Sequence, residues 1–203
     1  GQTAPEFPSV ETQLEQAQQQ LAETEKKLFK PIFGCEMYVA PRRLFQMEKD
    51  QGDTRRYHLI VLAKNQQGYH NLIKLVSKAW TDGFYGKPRT DRVELEAHKE
   101  GLIICSACIA GEVPHKILKG DLEGAEEAVR WYQSVFGENY YLELQRHQVT
   151  DPNQRANRET YPLQQRANEE LIRLAHKYGV KLVCTNDCHF VDQENAEAHD
   201  RLI

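Results

Sequence analysis

Val180-Lys181-Leu182-Val183-Cys184-Thr185-Asn186-Asp187-Cys188-His189 is the stretch on which the fold of this chain turns. Its mostly apolar first half, just after Gly179 in a helix C-cap position, predicts a strand over Lys181–Thr185. A carboxylate and an imidazole two residues apart stand where that strand ends. Alternate residues of an extended chain point the same way, so Asp187 and His189 share a face and Cys188 takes the other. In α/β proteins the C-terminal ends of strands are the usual place for chemistry. An isolated Asp-x-His is equally an ordinary surface pair, so the reading depends on further ligands.

Outward from this stretch, strand and helix patterns alternate. Ile32–Val39, Tyr57–Ala63, Leu102–Ser106 and Tyr140–Gln145 read as strands. Tyr69–Ala79, Asp91–His98, Leu122–Phe136, Arg158–Tyr178 and Gln193–Ile203 read as helices. Five strands separated mostly by helices predict a largely parallel α/β sheet or an incomplete barrel. Before them, Val10, Leu14, Ala17, Leu21, Thr24 and Leu28 recur at alternating spacings of four and three, a coiled-coil seam that Lys30-Pro31 ends. The expected organisation is a helical arm over 1–29 and an α/β region over 30–203.

With 203 residues, 40% hydrophobic and 28% charged, the chain has the composition of one substantial globular core. No apolar run approaches the ~18 residues of a membrane span, and a cytoplasmic location without membrane contact is expected. The formal net charge of −4 gives no global attraction to nucleic acid. Five cysteines without a secretory signal read as reduced thiols or metal ligands. No phosphate-cradling glycine motif is present.

Metal-capable side chains recur at the strands. Glu36 is a carboxylate inside an apolar strand, which needs a cation, a metal or a proton. His58 opens the run Leu59-Ile60-Val61-Leu62, Cys108 follows Leu102-Ile103-Ile104-Cys105, and His147 follows Leu142-Glu143-Leu144. Each has a plainer reading: a salt bridge, an interior histidine, a packing cysteine, a surface histidine. Together with Asp187 and His189 they point to a metal site. Imidazole, carboxylate and thiolate suit zinc, and imidazole with carboxylate also suits manganese or iron. A rival reading makes Cys105-x-x-Cys108 and Cys184-x-x-x-Cys188 a four-cysteine structural zinc site. Arg42, Arg43, Arg55, Arg56 and Lys64 lie near strand ends, as solvated charge or as phosphate contacts.

Five segments, in order, resemble the alpha subunits of bacterial DNA polymerase III. They are Lys30-Pro-Ile-Phe-Gly-Cys-Glu-Met-Tyr-Val-Ala-Pro41, Tyr57-His-Leu-Ile-Val-Leu-Ala-Lys-Asn-Gln-Gln-Gly-Tyr69, Cys105-Ser-Ala-Cys-Ile-Ala-Gly-Glu-Val-Pro114, Tyr141-Leu-Glu-Leu-Gln-Arg-His147 and Thr185-Asn-Asp-Cys-His-Phe190. The region resembled is the polymerase and histidinol phosphatase (PHP) domain of that family. The resemblance implies a distorted (β/α)7 barrel with up to three divalent ions, zinc or manganese, at its C-terminal rim. It implies that Glu36 bridges two ions, that His58 and Cys108 complete one, and that Asp187 and His189 serve the others. Glu36, Asp187 and His189 would carry catalysis, with His147 near the site. The implied activity is metal-dependent phosphoester hydrolysis of the 3′–5′ proofreading type, beside DNA synthesis by a palm domain elsewhere in such proteins. The implied partners are DNA and other replisome subunits. The alternative is a non-catalytic scaffold that supports the polymerase or holds a proofreading subunit.

The family's opening His-x-His strand and Asp-His-Gly turn have no counterpart here. The barrel is therefore expected to lack its first two strands and their ligands, and the chain alone is expected to be inactive. An exposed sheet edge would favour self-association.

Overall fold

The structure, a computed structural model, describes residues 9–27, 30–150 and 152–202, and contacts divide the chain into two compact units after Ile32. The first unit contains α1, Val10–Lys27. Ser9 caps it, its hydroxyl accepting the Thr12 N–H at 3.2 Å. Leu14, Ala17, Leu21 and Thr24 are all exposed along the seam. The seam's end at Leu28 lies outside the described residues.

The second unit runs β1 (Gly34–Val39), β2 (Tyr57–Ala63), α2 (Gln66–Thr81), β3 (Arg89–Thr90), α3 (Arg92–Ala97) and β4 (Leu102–Cys105). It continues through α4 (Glu112–Leu118), α5 (Leu122–Phe136), β5 (Tyr140–Leu144), α6 (Tyr161–Tyr178), β6 (Lys181–Cys184) and α7 (Ala196–Leu202). The strands form one open sheet in the order β3-β1-β2-β4-β5-β6. It is a partial barrel whose two edges, β3 and β6, do not meet among the described residues.

One strand departs from the parallel expectation. β2 runs antiparallel to both β1 and β4, whereas β1–β3, β4–β5 and β5–β6 are parallel. A parallel neighbour needs a crossover, usually a helix. Residues 40–56 supply only a loop with one 3-10 turn at Lys49–Gln51. The reversal carries His58, second residue of β2, to the end of the sheet where β1 and β4 finish, with Tyr38 and His58 opposite each other.

Alternation sorts the side chains. Met37, Val39, Leu59, Val61, Leu102, Ile104, Tyr140 and Leu142 are buried in the core with Leu75 of α2, Tyr132 of α5 and Leu171 and Leu174 of α6. Burying each large apolar side chain contributes roughly 1.5–3 kcal/mol. The register lines up Glu36, Ile60, Cys105, Tyr141 and Lys181 as one row across the sheet. Glu36, Tyr38 and His58 alternate with the core positions and so occupy the opposite face.

Two elements were not expected from sequence. α4 carries Pro114 in its first turn, where no intrahelical N–H is required. β3 is only two residues long, and its Arg89 is fully buried, donating to the carbonyls of Asp53 (2.7 Å), Leu44 (2.8 Å), Gly83 (3.1 Å) and Gln46 (3.2 Å). That guanidinium staples the 40–56 loop to the sheet edge. Arg42 and Arg43 are engaged in the same loop, by Asp53 at 2.5 Å and Asp91 at 2.8 Å. These pairings assign both arginines to the loop's own structure. Among the described residues, no helix is long and apolar enough to cross a membrane.

Candidate metal centre

Two strands and a loop bring Glu36, His58 and Cys108 together. Glu36 Oε1 is 2.7 Å from His58 Nδ1, a diagonal contact across the antiparallel β1–β2 ladder. Cys108 Sγ is 3.6 Å from the same Nδ1. Cys108 reaches it because the loop after β4 folds back onto β2: His58 N–H donates to Ala110 carbonyl at 3.1 Å. Gly111 permits the fold, since a Cβ there would stand 2.0 Å from the Ser106 carbonyl oxygen. Ala107 has φ 62°, the single non-glycine residue with positive φ among the described residues. Such a conformation costs an L-residue roughly 1–2 kcal/mol.

Past β6 the second pair is arranged differently. His189 donates its Nδ1–H to the Asp187 carbonyl at 2.9 Å, and its ring is 3.7 Å from Asp187 Oδ1. With the proton on Nδ1, the neutral ring leaves Nε2 as the lone-pair nitrogen, the tautomer a ligating histidine uses. The Asp187 carbonyl first, and then its carboxylate, push the His189 imidazole above its ordinary range.

His147 lies against this pair. Its backbone N–H donates to Gln164 Oε1 at 2.8 Å, so the Gln164 amide nitrogen, 2.8 Å from Nδ1, is a donor there. The Asp187 N–H faces Nε2 at 3.4 Å. A neutral imidazole accepts at one nitrogen only, and here N–H groups face both. Both His147 ring nitrogens are thus engaged by N–H groups rather than open to an ion.

The two halves feel each other electrostatically. Burial above all, and then the charges of Asp187 and Glu36, push the Cys108 thiol up against the help of a backbone N–H at Ala110. Glu143 of β5 was not singled out by the sequence reading, yet it sits between the halves and is only 5% exposed. It accepts the Ala107 N–H and, at 2.8 Å, the Thr185 hydroxyl. Burial raises its carboxyl pKa despite those bonds, with Asp187 and Glu36 adding to the rise. The signal was available: Leu142-Glu143-Leu144 places a carboxylate inside an apolar strand, as at Glu36.

Among the described residues, no group of three or more His, Cys, Asp or Glu stands ready to hold a metal ion. The donors are nonetheless close to such a placement. Zinc bonds of about 2.3 Å to sulfur and about 2.0 Å to nitrogen and oxygen set S and N roughly 3.5 Å apart and O and N roughly 3.3 Å apart. The 3.6 Å between Cys108 and His58 fits. The 2.7 Å between Glu36 and His58 is a hydrogen bond, too short for two ligands of one ion. The Glu36 side chain is 42% exposed rather than packed in the core. In identity and near position, Glu36, His58 and Cys108 suit a zinc-type ion. The four-cysteine alternative does not fit: Cys105 is buried, with its thiol pushed to about 12, while Cys184 and Cys188 are exposed.

Comparison with known proteins matches the chain to a family. The model of the PHP domain matches residues 9–147. The chain belongs to the PHP domain family. Proteins named DNA polymerase III subunit alpha are similar to this PHP chain in Borreliella burgdorferi (41% identical over 181 residues), Treponema pallidum (45% over 175) and Thermus aquaticus (40% over 175). These alignments cover 89%, 86% and 86% of the PHP chain but only 15%, 14% and 13% of those relatives. The chain therefore spans about one seventh of their length.

Proposed function

We propose that this chain is the PHP region of a replicative DNA polymerase alpha subunit and that its strand-end rim is a divalent-metal site for phosphoester hydrolysis of the 3′–5′ exonuclease type. The observation that supports it is the convergence of Glu36 from within β1, His58 from the start of β2 and Cys108 from the loop after β4. A divalent ion held there would supply Lewis acidity toward a phosphoryl oxygen. Glu36 would bind it and neutralise charge, while His58 and Cys108 would fix its position. Asp187 and His189 would stand on the far side of the rim, with His147 beside them. DNA and other replisome subunits would be the partners of the whole polymerase.

On its own the chain would bind metal through the Glu36–His58–Cys108 set and turn over poorly. The self-contained pairing of Asp187 with His189 favours that reading, and it also favours a scaffold role for the domain. Zinc binding by calorimetry, with release of a labelled 3′ nucleotide from single-stranded DNA, tests both. Zinc binding that is lost in Glu36→Gln and His58→Ala, with negligible turnover, is expected. Absence of zinc binding would leave the scaffold reading standing, and efficient turnover by this chain would overturn the assignment of a partial site.

A further inference from the structure

We propose that Glu143 is a positioning residue that holds the Cys108 loop and the start of the Asp187 segment at the correct spacing from Glu36 and His58. Its two carboxylate oxygens serve different sides. Oε2 accepts the N–H of Ala107, and Oε1 accepts the Thr185 hydroxyl at 2.8 Å.

The loop after β4 needs such a hold. Ser106 is tied to β5 twice, its N–H donating to the Tyr141 carbonyl at 3.0 Å and its hydroxyl accepting the Glu143 N–H at 2.8 Å. Ala107 then takes its left-handed conformation, and Ala110 is bonded to His58. Cys108 lies between these anchors. The Ala107 N–H at the turn has a Glu143 carboxyl oxygen as its partner.

The same carboxylate fixes the other side. Pairing of β6 with β5 ends at Cys184, and beyond it Thr185 donates its N–H to the Leu144 carbonyl at 3.2 Å. The Thr185 hydroxyl is held by Glu143 and by Gln145 Nε2 at 3.3 Å. Asp187 follows two residues later. A single side chain thus spans β4, β5 and β6 at the level of the rim. Partners of this kind, one shell out from the ligands, commonly change metal affinity by about 10–100-fold when removed.

The cobalt arm of the test rests on the metal reading above; the exchange arm does not. Cobalt(II) is titrated into the 203-residue chain and into Glu143→Leu, Glu143→Gln and Thr185→Val, following the thiolate-to-cobalt charge-transfer absorption. Circular dichroism reports whether each variant folds. Glu143→Leu is expected to weaken cobalt binding by about 10–100-fold and to diminish the thiolate band. Glu143→Gln keeps an acceptor oxygen for Ala107 and is expected to restore the band. Thr185→Val moves both in the same direction by less, and it decides the matter if Glu143→Leu does not fold. Without metal, hydrogen exchange at the Ala107 amide is expected to be at least about tenfold faster in Glu143→Leu than in the unsubstituted chain or Glu143→Gln. Unchanged Ala107 exchange in folded Glu143→Leu and Thr185→Val overturns the proposal, as does an undiminished thiolate band. A chain that binds no cobalt at all defeats the metal reading, and the exchange result then decides the role of Glu143 alone.

Discussion

The rim has two halves of different construction. Glu36 and His58 stand on β1 and β2, each paired with a strand on both sides, and Cys108 stands on a loop bonded back to β2. Asp187 and His189 follow β6, an edge strand whose Leu182 is 38% exposed, and they bond mainly to each other. Donors on strands with two partners inherit their spacing from the ladder. Donors past an edge strand inherit it from whatever side chains reach them, which here means Thr185 and Glu143.

The largest contrast should appear in stability. Leu59→Ala, on the 2%-exposed core face of β2, should cost about 2–5 kcal/mol in urea unfolding. Leu182→Ala, on β6, should shift it by no more than about 0.5 kcal/mol. Equal losses would mean that β6 is as deeply built into the sheet as β2.

Metal affinity is the next measure. His58→Ala should weaken zinc by more than about 100-fold, beyond the usual effect of an outer partner, while Asp187→Asn should cost less than about 10-fold. A reversed order, read by competition with a chelating dye, would place the ion on the β6 side.

Smaller effects should appear with pH. Glu143 has a carboxyl raised above its ordinary 4.5, so its contribution to stability is full below that value and is lost as pH rises through the raised value. Glu143→Gln resembles the protonated form. It should therefore be more stable than the unsubstituted chain at pH 7, with the gap closing below about pH 4.5. Asp53 has the opposite sign: hydrogen bonds from Arg42 above all hold it at about 2. Its contribution is present above the ordinary 3.8 and is lost as pH falls through about 2, so Asp53→Asn should flatten the acid limb. Chemical denaturation across pH checks both signs.

Much of this was legible. The α1 helix, four of the six strands nearly to their ends, and the α5 helix follow from apolar spacing. Glu36 stood out as a charge in an apolar strand. Glu143 carried the same signal, yet a strand with alternating polarity usually turns its polar residues to water, and here β6 and the Ala107 turn cover it. Arg89 and β3 were hidden because two residues carry no period. α4 was hidden because Pro114 reads as a break unless its place in the first turn is known.

The amino-acid sequence by itself determined which segments became strands and helices and which side chains could bind a cation. Only the tertiary structure decided that β2 runs against its neighbours, and so that His58, at the start of a strand, meets Glu36 within β1 and Cys108 just past the end of β4. The reason is that alternation of apolar and polar residues has no direction: a strand reads the same both ways, and its sense is set by the connection before it and the partners it packs against.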